Sequence, residues 1–129
     1  MKTIIHSDDA PKAVGPYSQA VRTGNLLFTA GQVPLDPATG KLVEGDIKAQ
    51  AEQSMKNLQS VLAAAGTGFE HVVKTTVYLA DMADYAGLNE VYGRYFTGNY
   101  PARSAFAVRD LPLGAKVEIE MVAEIPEAG

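Results

Sequence analysis

The sequence predicts an α+β domain, a mixed β-sheet carrying two helices on one face. Three observations carry this. Ile47 to Ala65 repeats apolar residues at the three- and four-residue spacing of a helix with one buried stripe. Val72 to Ala80 is a β-branched run, VVKTTVYLA, too uniformly strand-like for a helix. Val117 to Ile125 alternates apolar and acidic residues with the period of a strand that has two different faces.

The elements follow in order. Lys2 to His6 reads as a short extended stretch, and Ala10 to Pro16 as a Pro/Gly-rich loop. Ser18 to Arg22 and Leu26 to Val33 read as two strands joined by the turn Thr23-Gly24-Asn25, hence a hairpin. Pro34 to Gly45 is a loop. In the first helix, Ile47, Ala51, Met55, Leu58, Val61, Leu62 and Ala65 form the apolar stripe. Asp46 is placed to cap its start, and Gly66 to end it in the left-handed conformation. After the central strand, Asp84 to Phe96 reads as a second helix with Tyr85, Leu88, Tyr92 and Tyr95/Phe96 on its apolar side. Gly87 and Gly93 each weaken that helix by about 1 kcal/mol relative to alanine, so packing must hold it. Arg103 to Val108 is extended after Pro101, and Val117 to Ile125 closes the order ββ-α-β-α-ββ. No repeat or linker divides residues 1–129, and one domain is expected.

Composition narrows the chemistry. The 129 residues hold 11 Lys+Arg against 15 Asp+Glu, a net charge of −4, which argues against binding through nucleic-acid phosphates. The absence of cysteine excludes a disulfide scaffold, thiol catalysis, thiolate zinc sites and iron–sulfur clusters. Met1 to Ala10 carries Asp8 and Asp9 and no apolar core of an export signal. Apolar runs are only a few residues, against the ~20 that span a bilayer, so no membrane association and a cytoplasmic location are expected.

Gly66-Thr67-Gly68 is half a dinucleotide fingerprint, but His71 replaces the third glycine and the order is helix-to-strand, so a helix stop is the better reading. His6 and His71 are too few and too far apart in sequence to suggest a metal site, and no cofactor is expected. The closing strand is more informative. Val117, Ile119, Met121, Ala123 and Ile125 share one face, and Glu118, Glu120, Val122 and Glu124 the other. That acidic face is either solvated or meets another subunit, where desolvation would turn one glutamate into a general base. Arg103 follows Pro101-Ala102, which fixes it at the entrance of a strand. It is either an ordinary surface residue or a planar clamp for a carboxylate.

Pro101-Ala102-Arg103-Ser104-Ala105-Phe106-Ala107-Val108-Arg109-Asp110-Leu111, followed by Val117-Glu118-Ile119, resembles the signature of the RidA/YjgF family, the reactive intermediate deaminases. Gly15-Pro16-Tyr17-Ser18-Gln19-Ala20, Ala30-Gly31-Gln32-Val33-Pro34, the helix from Gln50 to Ala65, the strand Val73 to Leu79 and Asn89-Glu90-Val91-Tyr92 resemble further family segments in family order. The resemblance, running from about Ala10 to Ala123, implies a chorismate-mutase-like fold assembled as a homotrimer with pockets in the clefts between subunits. It implies hydrolysis of 2-imino or enamine acids, such as 2-aminoacrylate, 2-iminopropanoate and 2-iminobutanoate, to 2-keto acids and ammonia. PLP-dependent dehydratases would release those substrates.

By the same resemblance, Arg103 holds the substrate carboxylate and Glu118 positions or deprotonates the attacking water. Tyr17 covers the pocket from a neighbouring chain, Gly31 lets backbone approach the ligand, and Asn89 lines the cleft. Ala105 stands where many members have cysteine, leaving only backbone there to contact ligand. Ala30 stands where many have serine, and Thr29 on the opposite face does not replace the lost hydroxyl. Two other readings accompany this one: a non-catalytic sensor of small carboxylic acids, for which Arg103 would suffice, and an endoribonuclease or translation inhibitor, which the acidic balance disfavours.

Overall fold

The computed structural model describes residues 1–127. Six strands form one sheet: β1 (Lys2–Ile5), β2 (Ala20–Thr23), β3 (Leu26–Thr29), β4 (Val72–Leu79), β5 (Ala102–Ala107) and β6 (Val117–Glu124). Their spatial order is β1-β2-β3-β6-β4-β5. Neighbours are antiparallel except β4 and β5, which run parallel and are joined through helix α2 (Tyr85–Gly93). Parallel neighbours need such a crossover, whereas β2 and β3 need only the two-residue turn at Gly24-Asn25. Helix α1 (Ile47–Ala64) packs with α2 over the same sheet face, which is the expected α+β arrangement.

The apolar stripe of α1 is buried from Ile47 to Leu62, against Val77, Leu79, Val117, Ile119 and Met121 of the sheet. Asp46 caps α1 by accepting from the Ala49 N–H at 3.0 Å, and Gly66 ends it at φ +80°. Gly87 has a reason that propensity alone does not supply. A Cβ there would stand 2.7 Å from Ile47 Cγ2, so the missing side chain lets α2 close on α1. Tyr92 ties α2 to the sheet through a 2.8 Å hydroxyl contact with Thr75.

Several boundaries differ from the sequence expectation. The stretch at Lys2 forms a full edge strand. β2 begins at Ala20 rather than Ser18: Gln19 still accepts from the Ala30 N–H at 2.8 Å through its backbone, but its side chain turns to the preceding loop, where Oε1 accepts from the Ser7 N–H at 2.6 Å and Nε2 donates to the Pro11 carbonyl at 2.8 Å. β3 stops at Thr29 rather than Val33. Thr29 Oγ1 takes the Met121 N–H at 3.0 Å, and the chain then bridges β6 only at Gln32–Ile119. Gly93 ends α2 early; Arg94 to Phe96 continue in tighter i−3 hydrogen bonds.

Among the described residues, the opposite sheet face carries no helix. Ile4, Phe28, Val73 and Phe106 are exposed on it, beside the half-buried Glu118, Glu120 and Tyr78. Among the described residues, no helix is long and apolar enough to cross a membrane.

Candidate functional site

Strand alternation decides where each candidate side chain goes. On β6, Val117 and Ile119 point into the helix-covered core and Glu118 points to the open face. On β5, Arg103 stands opposite the buried Thr75, and its guanidinium lies over Tyr92 of α2. Arg103 and Glu118 therefore occupy opposite faces of one sheet.

Glu118 is held by its surroundings. Its carboxylate lies directly against the backbone of Gly31, where a Cβ would stand 2.0 Å from Oε2. The Gln32–Ile119 bridge, with hydrogen bonds of 2.8 and 3.2 Å in both directions, locks that register. Partial burial raises the Glu118 pKa above its ordinary value of 4.5, and the charge of Glu120 adds to the shift. Glu120 accepts a hydrogen bond from the Tyr78 hydroxyl. That bond, with burial and the two nearby carboxylates, pushes Tyr78 up to about 12. Glu118 opens into a cleft of about 500 Å³ whose wall includes Tyr17, Ala30, Gly31, Val33, Leu35 and Leu113. Apolar side chains dominate it. Tyr17 is half exposed at its rim, and its hydroxyl accepts weakly, at 3.4 Å, from the Val14 N–H.

Arg103 belongs to a second cleft, of about 350 Å³, lined by Asn89, Tyr92, Gly93, Tyr100 and Pro101. Its guanidinium carbon lies 4.8 Å from the Tyr92 ring centroid and 5.5 Å from that of Tyr85. Nη2 donates to the Tyr85 hydroxyl at 2.9 Å. Among the described residues, no carboxylate lies within ion-pair distance of it. A guanidinium seated on aromatic faces and free of a carboxylate partner is poised for an anionic ligand. Ala105, two residues along on the same face, packs against the core. A larger hollow of about 660 Å³, around Arg22, Gly66 and Ile125, contains none of the candidate residues.

The sequence-predicted residues thus fall into two groups: Tyr17, Gly31 and Glu118 in one cleft, Arg103 and Asn89 in the other, with Ala105 on the Arg103 side. The missing side chain of Gly31, expected to make room for a ligand, makes room for Glu118 in this structure. The Thr29 hydroxyl, beside Ala30, is buried and accepts from the Met121 N–H. Sequence reasoning missed Tyr85 and Tyr92 as site residues because both fit the apolar stripe of a helix. It also missed Leu113, which holds φ +60° while 70% exposed at the Glu118 cleft; the flanking Pro112 and Gly114 were the available turn signal. Among the described residues, no three His, Cys, Asp or Glu side chains cluster to hold a metal ion.

The fold and these two clefts define a small α+β protein with an arginine that has no carboxylate partner among the described residues on one sheet face and a partly buried glutamate on the other. The chain belongs to the RidA/YjgF family: the family described as Endoribonuclease L-PSP matches residues 7–125. It is 59% identical over 121 residues to Protein DfrA of Myxococcus xanthus, covering 92% of each chain. It is 50% identical over 123 residues to the mouse protein named 2-iminobutanoate/2-iminopropanoate deaminase, covering 95% of this chain and 91% of that one. The crystal structure of RidA from an Antarctic Psychrobacter superposes with a TM-score of 0.92 at 47% identity, covering 95% of this chain and 99% of the other.

Proposed function

We propose that the protein hydrolyses 2-imino acids to 2-keto acids and ammonia, at sites shared between copies of the chain in a homotrimer. The observation that carries this reading is the position of Glu118, a half-desolvated carboxylate pinned on Gly31 on the sheet face opposite Arg103. The name carried by the mouse relative supports the same activity. Because Arg103 and Glu118 of one chain face away from each other, a substrate that uses both takes them from two chains. Docking one open sheet face against its neighbours would also cover the exposed Phe28 and Phe106, and removing such apolar side chains from water favours association.

In the composite site, Arg103 clamps the substrate carboxylate through two parallel hydrogen bonds, with Asn89 and the backbone at Ala105 along the same wall. Tyr17, Gly31 and Glu118 come from the neighbouring chain. Glu118 accepts a proton from water as the water oxygen bonds to C2 of the protonated imine. The resulting carbinolamine receives that proton on nitrogen, and the C–N bond breaks as Glu118 takes the carbinol O–H proton, which leaves the keto acid and ammonia; the proton then passes to ammonia, which departs as ammonium and returns Glu118 to its ionised form. A carboxylate with a raised pKa suits both halves of that transfer, since it takes the proton and returns it. Enamine substrates enter after protonation at carbon has converted them to the imine. These imines also react with water unaided, so fixing the acid and placing one water supply the acceleration needed. The chemistry places the enzyme after PLP-dependent dehydratases, which release such imines.

Release of pyruvate or 2-ketobutyrate, in an assay coupled to an amino-acid dehydratase or oxidase, tests the reading. Acceleration by the protein that is lost in Arg103→Ala supports it; a rate no faster than buffer, with Arg103→Ala equally inert, overturns it.

A further inference from the structure

Arg103 does not enter its cleft as a free side chain. Tyr92 forms a floor beneath the guanidinium, and Thr75 fixes that floor by its 2.8 Å contact with the Tyr92 hydroxyl. Tyr85 stands at the side and accepts from Nη2 at 2.9 Å. A guanidinium offers two forks to a carboxylate, one formed by Nε and Nη2 and the other by the two terminal nitrogens. Nη2 carries two N–H groups, and each belongs to a different fork. The Tyr85 hydroxyl occupies one of these N–H groups, so it breaks one fork and leaves the other whole.

We propose that Tyr85 is a positioning residue that selects which edge of Arg103 receives the substrate carboxylate. The proposal rests on the carboxylate-clamp role given to Arg103 above and adds to it. Two features favour a positioning role over a packing one. Tyr85 lies at the start of α2 and is 37% exposed, so its hydroxyl is not needed to satisfy a buried group. Its ring remains in place when the hydroxyl is removed, so Tyr85→Phe keeps the cation–π contact and deletes only the hydrogen bond. With that bond gone, the guanidinium rotates more freely over Tyr92, and carboxylate binding must first order it.

The test measures binding rather than turnover, so that it stands apart from the catalytic reading. 2-Ketobutyrate is titrated calorimetrically into the full protein, into Tyr85→Phe, into Arg103→Lys and into the double variant. Tyr85→Phe is expected to weaken binding by about 3- to 10-fold, as loss of one hydrogen bond to a charged group does, with an unchanged melting temperature. In the Arg103→Lys background the same change is expected to have less than about a 2-fold effect, because an ammonium has no fork to select. Wild-type affinity in Tyr85→Phe overturns the proposal, and so does an equal loss in both backgrounds, which marks a role independent of Arg103. Tight 2-ketobutyrate binding without imine turnover overturns the deaminase reading and leaves the Tyr85 comparison decisive. Absence of 2-ketobutyrate binding by the unmodified protein overturns both.

Discussion

Gly31 and Glu118 occupy one another's space: the carboxylate oxygen Oε2 lies 2.0 Å from where a Cβ at Gly31 would be. The glycine belongs to the segment leaving β3, and the glutamate to β6. Their contact is fixed by the backbone bridge between Gln32 and Ile119. The glycine is thus needed by the side chain proposed as the base, whatever ligand also approaches it.

Gly31→Ala is expected to leave the fold intact, because the atoms displaced, from Cγ to Oε2 of Glu118, belong to a partly exposed side chain and not to backbone, and φ at Gly31 is not in the left-handed region. The carboxylate must then swing away. Imine hydrolysis should fall by about 10- to 100-fold, the usual consequence of misplacing a reacting group by an ångström or so. Turnover and a melting curve on the same sample check this; unchanged turnover contradicts it.

Glu118→Gln separates stability from activity. The folded protein raises the Glu118 pKa through burial and the charge of Glu120, so the ionised form costs stability. That cost is absent well below the ordinary value of 4.5, where the group is protonated in both folded and unfolded chains, and it grows as pH rises through the raised folded pKa. Glu118→Gln should therefore melt higher than the parent at neutral pH, lose that advantage in acid, and be inactive. Melting temperatures across a pH series read it out; an advantage that grows towards acid has the wrong sign.

Arg103→Lys keeps the charge and loses the planar fork. Turnover should fall by about 100-fold or more, on the scale of losing a charge-assisted bidentate contact. Steady-state kinetics decide this, and retention of most activity would show that a point charge suffices.

The open sheet face predicts its own consequence. Phe106, 46% exposed on β5, packs edge-on against Tyr78 at 5.5 Å and otherwise faces outward. Light scattering should give three times the 13.7 kDa chain mass for the parent and a smaller species for Phe106→Glu, which puts a charge in place of an exposed apolar side chain on that face. A monomeric parent contradicts the assembly.

The legibility of the molecule in its sequence divides along physical lines. Helix α1 and strands β4 and β6 were readable because hydrophobic period is local: Asp46, Gly66 and the alternation from Val117 to Ala123 each took their expected place. The ends of β2 and β3 were not, because long-range side-chain hydrogen bonds gather there, and the end of α2 was not, because its last turn tightens to i−3 bonds while the apolar pattern runs on. Gln19 is claimed by Ser7 and Pro11, and Thr29 by Met121. Among site residues, Arg103, Glu118 and Gly31 stood out through motifs that resemble a family. Tyr85 did not, since a tyrosine on a helix stripe looks like core until its hydroxyl is found on a guanidinium. Nor does alternation within single strands reveal that Arg103 and Glu118 face apart, because that depends on the order in which β5 and β6 flank β4.

If each site draws Arg103 from one chain and Glu118 from another, two inactive variants can repair one another when mixed. Arg103→Ala and Glu118→Ala chains, each inactive alone, are co-expressed in equal amounts and their mixed assemblies assayed for imine hydrolysis. In a closed ring, an interface that pairs the intact Arg103 of one variant with the intact Glu118 of the other forms about a quarter of the time. Mixed assemblies are expected to recover about a quarter of parental activity on that counting. Mixed assemblies that stay as inactive as either variant alone would contradict it, because a site built within one chain cannot be repaired by its neighbour.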